Sequence, residues 1–432
     1  MRQIVMNSGL RRYNGLRLLA LIFVTFAAAC NDSDPEPDAG AVTSELLAQP
    51  LWIERDAYDA SHNLMVPMHA AFSVADPREV DRYVEFFRTL EATGMESLVP
   101  DRFHRLQFLY FYSRFIALLA SREGCSQRAL SHHATVRSLW SAIVMAPAWQ
   151  WDRPDFPTLF DRVRWKLDQT EVAYSYYRAI TDEDLYGLAI GADLANVASQ
   201  CALEEIQQYT DSLALARVIF SQEITPTAAG GWVLQKGAWT DHPDYAFAGH
   251  EQVAPDLQPA PVPGISPDSS HSFRLPLVLI SFACAEEPGS AFRELFFRRT
   301  GELALQWSLR TVVMPDSSFR GVRMTNFMDG ENGVYRYGYV TQGPGNGFGA
   351  YELSGSLNIG WWAFLGLAAE PVYGAQLASL PFADEVLASY VGPNTTRIRN
   401  PAFTEPAFYQ GELIHEILSS ALTVASRTSW CQ

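Results

Sequence analysis

With 432 residues, 48% of them hydrophobic and 12% aromatic, the chain can bury a large core and does not have the composition of a disordered polymer. Its formal charge of −16 repels nucleic acid and anionic lipid surfaces, so no nucleic-acid partner is expected. An anionic polysaccharide would need a local cluster of arginines to overcome that field.

The first residues do not read as part of the fold. Arg2, Arg11, Arg12 and Arg17 form a positive segment, and Leu18 to Phe26 form an apolar run too short to span a bilayer comfortably. Small residues Ala27, Ala28 and Ala29 then precede Cys30. The arrangement resembles a bacterial lipoprotein signal, in which that cysteine is lipidated and becomes the mature N-terminus. Ala27 stands where such boxes usually carry Leu or Val, which leaves ordinary signal cleavage as the alternative. The resemblance implies a signal peptide over 1–29 and a lipid-anchored protein of the cell envelope. Asn31 rather than Asp follows the cysteine, which points to the outer membrane. Residues 30–44 are acidic and contain prolines but no aromatic side chains, as expected of a tether. The folded domain is then expected over 45–432.

With Cys30 assigned to lipid, Cys125, Cys201, Cys284 and Cys431 remain. An even count in an exported chain predicts two disulfides, and Cys125 with Cys201, both expected in turns between helices, is the first pair to expect. Their spacing has no metal-ligand pattern, and neither metal nor cofactor is expected.

From Ser44 onward the pattern is helix after helix. Val136, Leu139, Trp140 and Ile143 follow the spacing of one helix face, and Phe103 to Ala120 is apolar almost all round. Thr181 with Asp184 has the form of a capping box. Helices are expected at about 59–73, 77–93, 102–120, 131–146, 158–180, 182–199, 202–223, 270–285, 290–313, 354–368, 381–391 and 407–427. Two long Gly- and aromatic-rich segments interrupt them, at 221–269 and 315–354, and the second carries a candidate strand or hairpin at Val334–Tyr339. Loops this long usually carry function.

Asp59-Ala-Ser-His62-Asn-Leu-Met-Val-Pro67 is echoed far downstream by Asp268-Ser-Ser-His271-Ser-Phe-Arg-Leu-Pro276. In each copy the Asp is expected to cap a helix whose first turn carries Ser and His. The repeat recurs once, half the mature chain apart, rather than with the short period of a solenoid. The fold expected is therefore all-α, an α/α toroid of about six helical hairpins. The loops of one rim, 230–251 and 326–352, would then meet over a central cavity, and both Asp/His motifs would open inner helices directed at it.

Serine-hydrolase, phosphate-loop and zinc-protease signatures are missing. His132 and His133, at a helix start, read as solvated. The stretch Gly237-Ala-Trp239-Thr-Asp241-His242-Pro-Asp244-Tyr245-Ala246-Phe247-Ala-Gly249 resembles the Gly-x-Phe-x-Gln-His-x-x-x-Ala-Tyr-x-Gly run of the toroidal hyaluronate, chondroitin and xanthan lyases. Gly237, His242, Ala246 and Gly249 match, and Trp239 and Phe247 are aromatic replacements. The resemblance implies that His242 helps abstract the proton beside a uronate carboxylate. Glu251 stands where that family has its catalytic tyrosine, and the family's Trp- and Asn-bearing motif has only a weak echo in Trp149-Gln-Trp151.

The chemistry itself needs three groups: cations to neutralise the carboxylate, a base, and a proton donor for the leaving oxygen. His242, Tyr245, His271, Arg274 and Tyr337 are the candidate catalytic residues. Trp239, Asp241, Asn332, Arg336 and Trp361 are the candidates for holding a poly- or oligosaccharide. A glycosidase would instead use two acids, from Asp241, Glu251, Asp329, Glu331 and Glu352. A glycan-binding or scaffolding lipoprotein on the same fold is the non-catalytic alternative.

Overall fold

The computed structural model of the chain describes residues 40–74, 76–393, 395–396, 399–403 and 407–431. The leader and Cys30 lie outside the described residues. The end of the expected tether does not: helix α1 (Ala41–Leu47) starts within it, and the domain begins earlier than composition indicates. The reason is a distant partner. Glu416 accepts from the N–H groups of Val42 and Thr43 at 2.9 and 3.0 Å and from Thr43 Oγ1 at 2.6 Å. Its charge meets the free N–H groups at the positive end of the helix.

The architecture is mainly helical, 58% helix with a few short strands. After α1 come α2 (Asp56–Asn63), α3 (Met65–Val74), α4 (Pro77–Thr93), α5 (Arg102–Glu123) and α6 (Gln127–Val144). Next are α7 (Leu159–Asp168), α8 (Asp182–Gln200) and α9 (Gln207–Gln222). The downstream half adds α10 (Ser269–Ser272), α11 (Leu275–Ala285), α12 (Ala291–Gln306), α13 (Glu370–Ala378), α14 (Asp384–Val391), α15 (Ala407–Gln410) and α16 (Glu412–Ala425). Side chains set many of the starts: Asp76, Asp101, Ser126, Thr158 and Ser290 each accept from a backbone N–H of the first turn, and Thr181 with Asp184 forms the expected capping box. Such a cap contributes about 1 kcal/mol.

The core is continuous. Helix α5 packs on α2, α3, α6 and α8, and α8 on α9 and α11. In turn α11 packs on α12 and on a 3-10 segment, Trp361–Ala368; that segment packs on α16, and α16 on α3. Helix α5 has no polar face because neighbours cover it: Tyr110, Phe111, Tyr112 and Phe115 are all fully buried. Disulfides Cys125–Cys201 and Cys284–Cys431 tie the turn after α5 to the end of α8 and α11 to the C-terminal segment.

Several element boundaries differ from the periodic pattern. The helix expected over 158–180 ends at Asp168. Ser175 beyond it donates from its N–H and Oγ to the Asp241 carboxylate, at 2.9 and 2.6 Å, which draws that segment to the 230–251 loop instead. The stretch 354–368 forms two 3-10 segments because Gly360 (φ 87°) and Gly366 (φ 70°) break the α path. Helix α13 goes unrecognised in the pattern. At Val334–Tyr339 a single bridge, Tyr335 to Phe348, replaces the expected strand; left-handed Arg336 (φ 53°) and Gly338 (φ 68°) turn the chain. The described strands are two small antiparallel pairs, β1 (Ile224–Pro226) with β2 (Trp232–Leu234) and β3 (Val312–Val313) with β4 (Arg323–Met324).

The repeated Asp/His motif has one shared feature and one difference. In both copies the chain breaks and restarts a helix just before the proline, so Pro67 and Pro276 sit in the first turn of α3 and α11, where a missing N–H costs nothing. Asp268 caps α10 by accepting from the His271 N–H at 3.1 Å. Asp59 caps nothing, since α2 begins at Asp56; it accepts from Arg399 at 2.9 Å. His62 therefore lies in a last helical turn, not a first. His132 and His133 are also buried rather than solvated: Tyr112 Oη lies 2.6 Å from His132 Nδ1, and His133 Nε2 lies 3.2 Å from the Leu194 carbonyl.

Candidate functional site

The N-terminus of α8, the turn around Trp151, the 230–251 loop, α10 and the Tyr335–Tyr339 turn enclose a cavity of about 430 Å³. Asp268 is its anchor. This carboxylate is 2% exposed and accepts from Ser270 Oγ at 2.6 Å and from Tyr245 Oη at 2.8 Å. His271 Nδ1 lies 2.8 and 2.9 Å from its two oxygens. Burial alone would raise the Asp268 pKa, but His271 and these hydrogen bonds hold it well below the usual carboxylate range. An ionised Asp268 fixes the proton on Nδ1 of His271, which leaves Nε2 as the acceptor. The His271 side chain is 34% exposed and lines the cavity, so Nε2 can act as a base there.

His242 is set the opposite way. Its Nδ1 accepts from the Asp244 N–H at 3.1 Å, so its proton sits on Nε2. Burial lowers its pKa and keeps the ring neutral. Aromatic rings surround it: Tyr176 at 4.8 Å, Trp239 at 5.2 Å and Trp151 at 6.4 Å between centroids. Arg336 donates from Nε to Asp244 at 2.7 Å and lies 4.7 Å from the Tyr339 ring.

Lys166 and Arg162, also in the lining, both hold the fully buried Asp184, each at 2.6 Å. Burial pulls the Lys166 pKa down to about 8, against the pull of Asp184. The mouth is aromatic, with Trp149 56% exposed and packed edge-on against Trp151 at 5.2 Å.

Of the residues singled out from sequence, His242, Tyr245, His271, Trp239 and Arg336 meet in this cavity. Arg274 does not line it: its guanidinium is buried between Asp182 at 3.1 Å, Tyr186 Oη at 2.7 Å and His62 Nε2 at 3.2 Å. The two motif copies thus touch through Arg274 and His62, both buried. Tyr337 lies elsewhere too, clasping a loop by donating to the Ala254 carbonyl at 2.9 Å and accepting from the Leu257 N–H at 3.1 Å. Asp241 holds Ser175, and Asn332 accepts from the N–H groups of Asn326 and Tyr351, both at 3.0 Å. Trp361 is 1% exposed in the core and donates to the His62 carbonyl at 2.8 Å.

The loop acids are also outside the aromatic cavity. Asp329 accepts from the Ser266 N–H, and Glu251, Glu331 and Glu352 line a separate open recess with Asn332. The carboxylates among the described residues that do line the cavity are all paired, Asp182 with Arg274, Glu183 with Arg102, Asp244 with Arg336, and Asp268 with His271.

Sequence reasoning missed Lys166, Tyr339 and the role of Asp268 beyond capping. A lysine is rare in this chain, with Lys236 the other one, and its position in a helix beside Arg162 and Arg164 was the available signal. Among the described residues no group of three or more His, Cys, Asp or Glu side chains could hold a metal ion, and no helix is long and apolar enough to cross a membrane. Comparison of the chain with protein-family models, curated proteins and solved structures gave no match.

Proposed function

We propose that the protein is a carbohydrate-active enzyme that cleaves a uronate-containing polysaccharide by β-elimination, with His271 as the base. The observation that carries this reading is the Asp268–His271 pair, with its Nε2 acceptor left open in an aromatic-walled cavity beside Arg336. In the proposed step Nε2 takes the proton on the carbon next to the uronate carboxylate. The C–H electron pair becomes the new carbon–carbon double bond, the adjacent C–O bond breaks, and the leaving oxygen takes a proton from Tyr339. Arg336 neutralises the carboxylate, and the His242 Nε2–H donates to a sugar oxygen. Trp239 and Trp151 present apolar faces to sugar rings.

Elimination accounts for the site better than hydrolysis, because a glycosidase needs a carboxylic acid and a carboxylate that are not already held by cations. A non-catalytic glycan-binding lipoprotein is the second reading, supported by the exposed Trp149 platform and by Arg336 being already engaged by Asp244.

Two wider proposals go with the first. The fold is an α/α toroid, a reading supported by the circuit of packed elements from α3 through α5, α8, α11 and Trp361–Ala368 to α16 and back to α3. The protein is held at the outer membrane by a lipid on Cys30, after removal of residues 1–29, a reading supported by the leader's charge and apolar run.

The test is to incubate the protein with a panel of uronic-acid polymers and follow ultraviolet absorbance of unsaturated products and release of reducing ends. His271→Ala and Asp268→Asn should abolish product formation while His242→Ala lowers it. Reducing ends without unsaturation would mean hydrolysis, and binding without either product would mean the non-catalytic reading.

A further inference from the structure

His271, Tyr335 and Arg336 do not line one cavity alone. A second cavity of about 650 Å³ lies on their other side, and the three residues form the partition between the two. The second cavity differs in chemistry. Four arginines line it, Arg55, Arg274, Arg336 and Arg399, against two carboxylates, Asp59 and Glu352. Pairing with Asp182, Asp244 and Asp59 neutralises three of these four and leaves the charge of Arg55 to account for.

Arg55 is the unexplained member. Arg274, Arg336 and Arg399 each hold a carboxylate, Asp182, Asp244 and Asp59 respectively. The Arg55 guanidinium lies 3.9 Å from the centre of the Tyr58 ring, with Nη1 3.0 Å from His104 Nε2. Its Nε–H is buried without a hydrogen-bond partner, and no carboxylate among the described residues pairs with it. A half-buried guanidinium with spare donors and no counter-charge is costly, and the cost is offset when an anion arrives. His62 in the same wall is kept neutral by burial and by Arg274, so it accepts from Arg274 and adds no charge of its own.

We infer that the arginine-lined cavity is a subsite for an acidic sugar, and that the glycan chain crosses the His271–Arg336 partition with its carboxylate-bearing residue on the Arg55 side and its neighbour in the aromatic cavity. The inference rests on the proposed glycan substrate and adds its polarity: the acidic unit and the stacked unit occupy different lobes, and His271 faces the linkage between them. A uronate or another carboxylated sugar supplies the same chemistry.

Titration calorimetry with a glucuronate-containing hexasaccharide, a galacturonate hexasaccharide and their carboxyl-reduced counterparts tests it. The wild type should bind at least one acidic oligosaccharide about tenfold or more tightly than its reduced form, with the margin shrinking as salt rises. Arg55→Gln should remove that margin and leave affinity for the reduced form unchanged, and Arg55→Lys should retain part of it. Thermal melting of both variants checks that they fold. Equal affinity of the wild type for acidic and reduced forms, or an undiminished margin in a folded Arg55→Gln, would overturn the inference. Charge-selective binding without unsaturated products would leave the subsite standing and refute only the proposed chemistry.

Discussion

Acid should destabilise this protein well before its carboxylates titrate, and two core histidines, whose pKa values are lowered furthest, contribute alongside His133 and His242. His69 is 1% exposed, neither ring nitrogen has a hydrogen-bond partner, and its ring packs edge-on against Phe364 at 4.8 Å. Burial lowers its pKa well below the ordinary 6.5, and the charges of Arg114 and Arg427 lower it further. His62 is lowered by burial and then by Arg274, Arg55, Arg399 and His271. Each ring is neutral in the fold, while its unfolded counterpart gains a proton near pH 6.5. The unfolded state therefore binds more protons below that value, and stability is full above pH 6.5 and lost as pH falls. Going from pH 7.5 to 5.5 costs about 1.4 kcal/mol for each ring that stays unprotonated in the fold, or near 3 kcal/mol for the two. Asp268 and Asp184, whose pKa values are depressed, lose their contribution only at lower pH and do not enter this window. Urea unfolding at the two pH values measures the loss. In His69→Leu the loss should fall by about 1.4 kcal/mol, and stability at pH 7.5 should not drop, because two unpartnered buried nitrogens are removed. An undiminished pH dependence in that variant would refute the reasoning.

Other expectations follow from particular contacts. Asp184→Asn leaves Arg162 and Lys166 facing each other in a buried site, so it should cost about 3–5 kcal/mol and push Lys166 below its present value of about 8, measurable by denaturation and by the pH dependence of lysine acylation. Removing Cys284–Cys431, which closes a separation of 147 residues, should cost about 3–5 kcal/mol and lower the melting temperature more than removing Cys125–Cys201, which closes 76. Thiol titration of the denatured, unreduced mature protein should find none of these four cysteines free. Cys30→Ser should move the protein from the membrane fraction to the soluble envelope fraction, and unchanged partitioning would refute the anchor.

Local chemistry made much of this protein legible in its sequence. Apolar periodicity and capping residues such as Asp268 and Thr181 announce the helices, because a helix start needs a side chain to satisfy free N–H groups whatever it later packs on. The Cys125–Cys201 pairing follows from two turns, and the 230–251 loop with His271 yields part of the cavity wall. What the sequence could not decide are the long-range choices. Whether a tryptophan meets a sugar or a core depends on neighbours far away in the chain, so Trp239 lines the cavity while Trp361 is sealed beneath His62. Asp59 and Asp268 open the same Asp-x-Ser-His pattern, yet Arg399 claims one and His271 the other. An ionisable side chain takes its role from the charge that tertiary folding brings to it, and no local pattern encodes that partner.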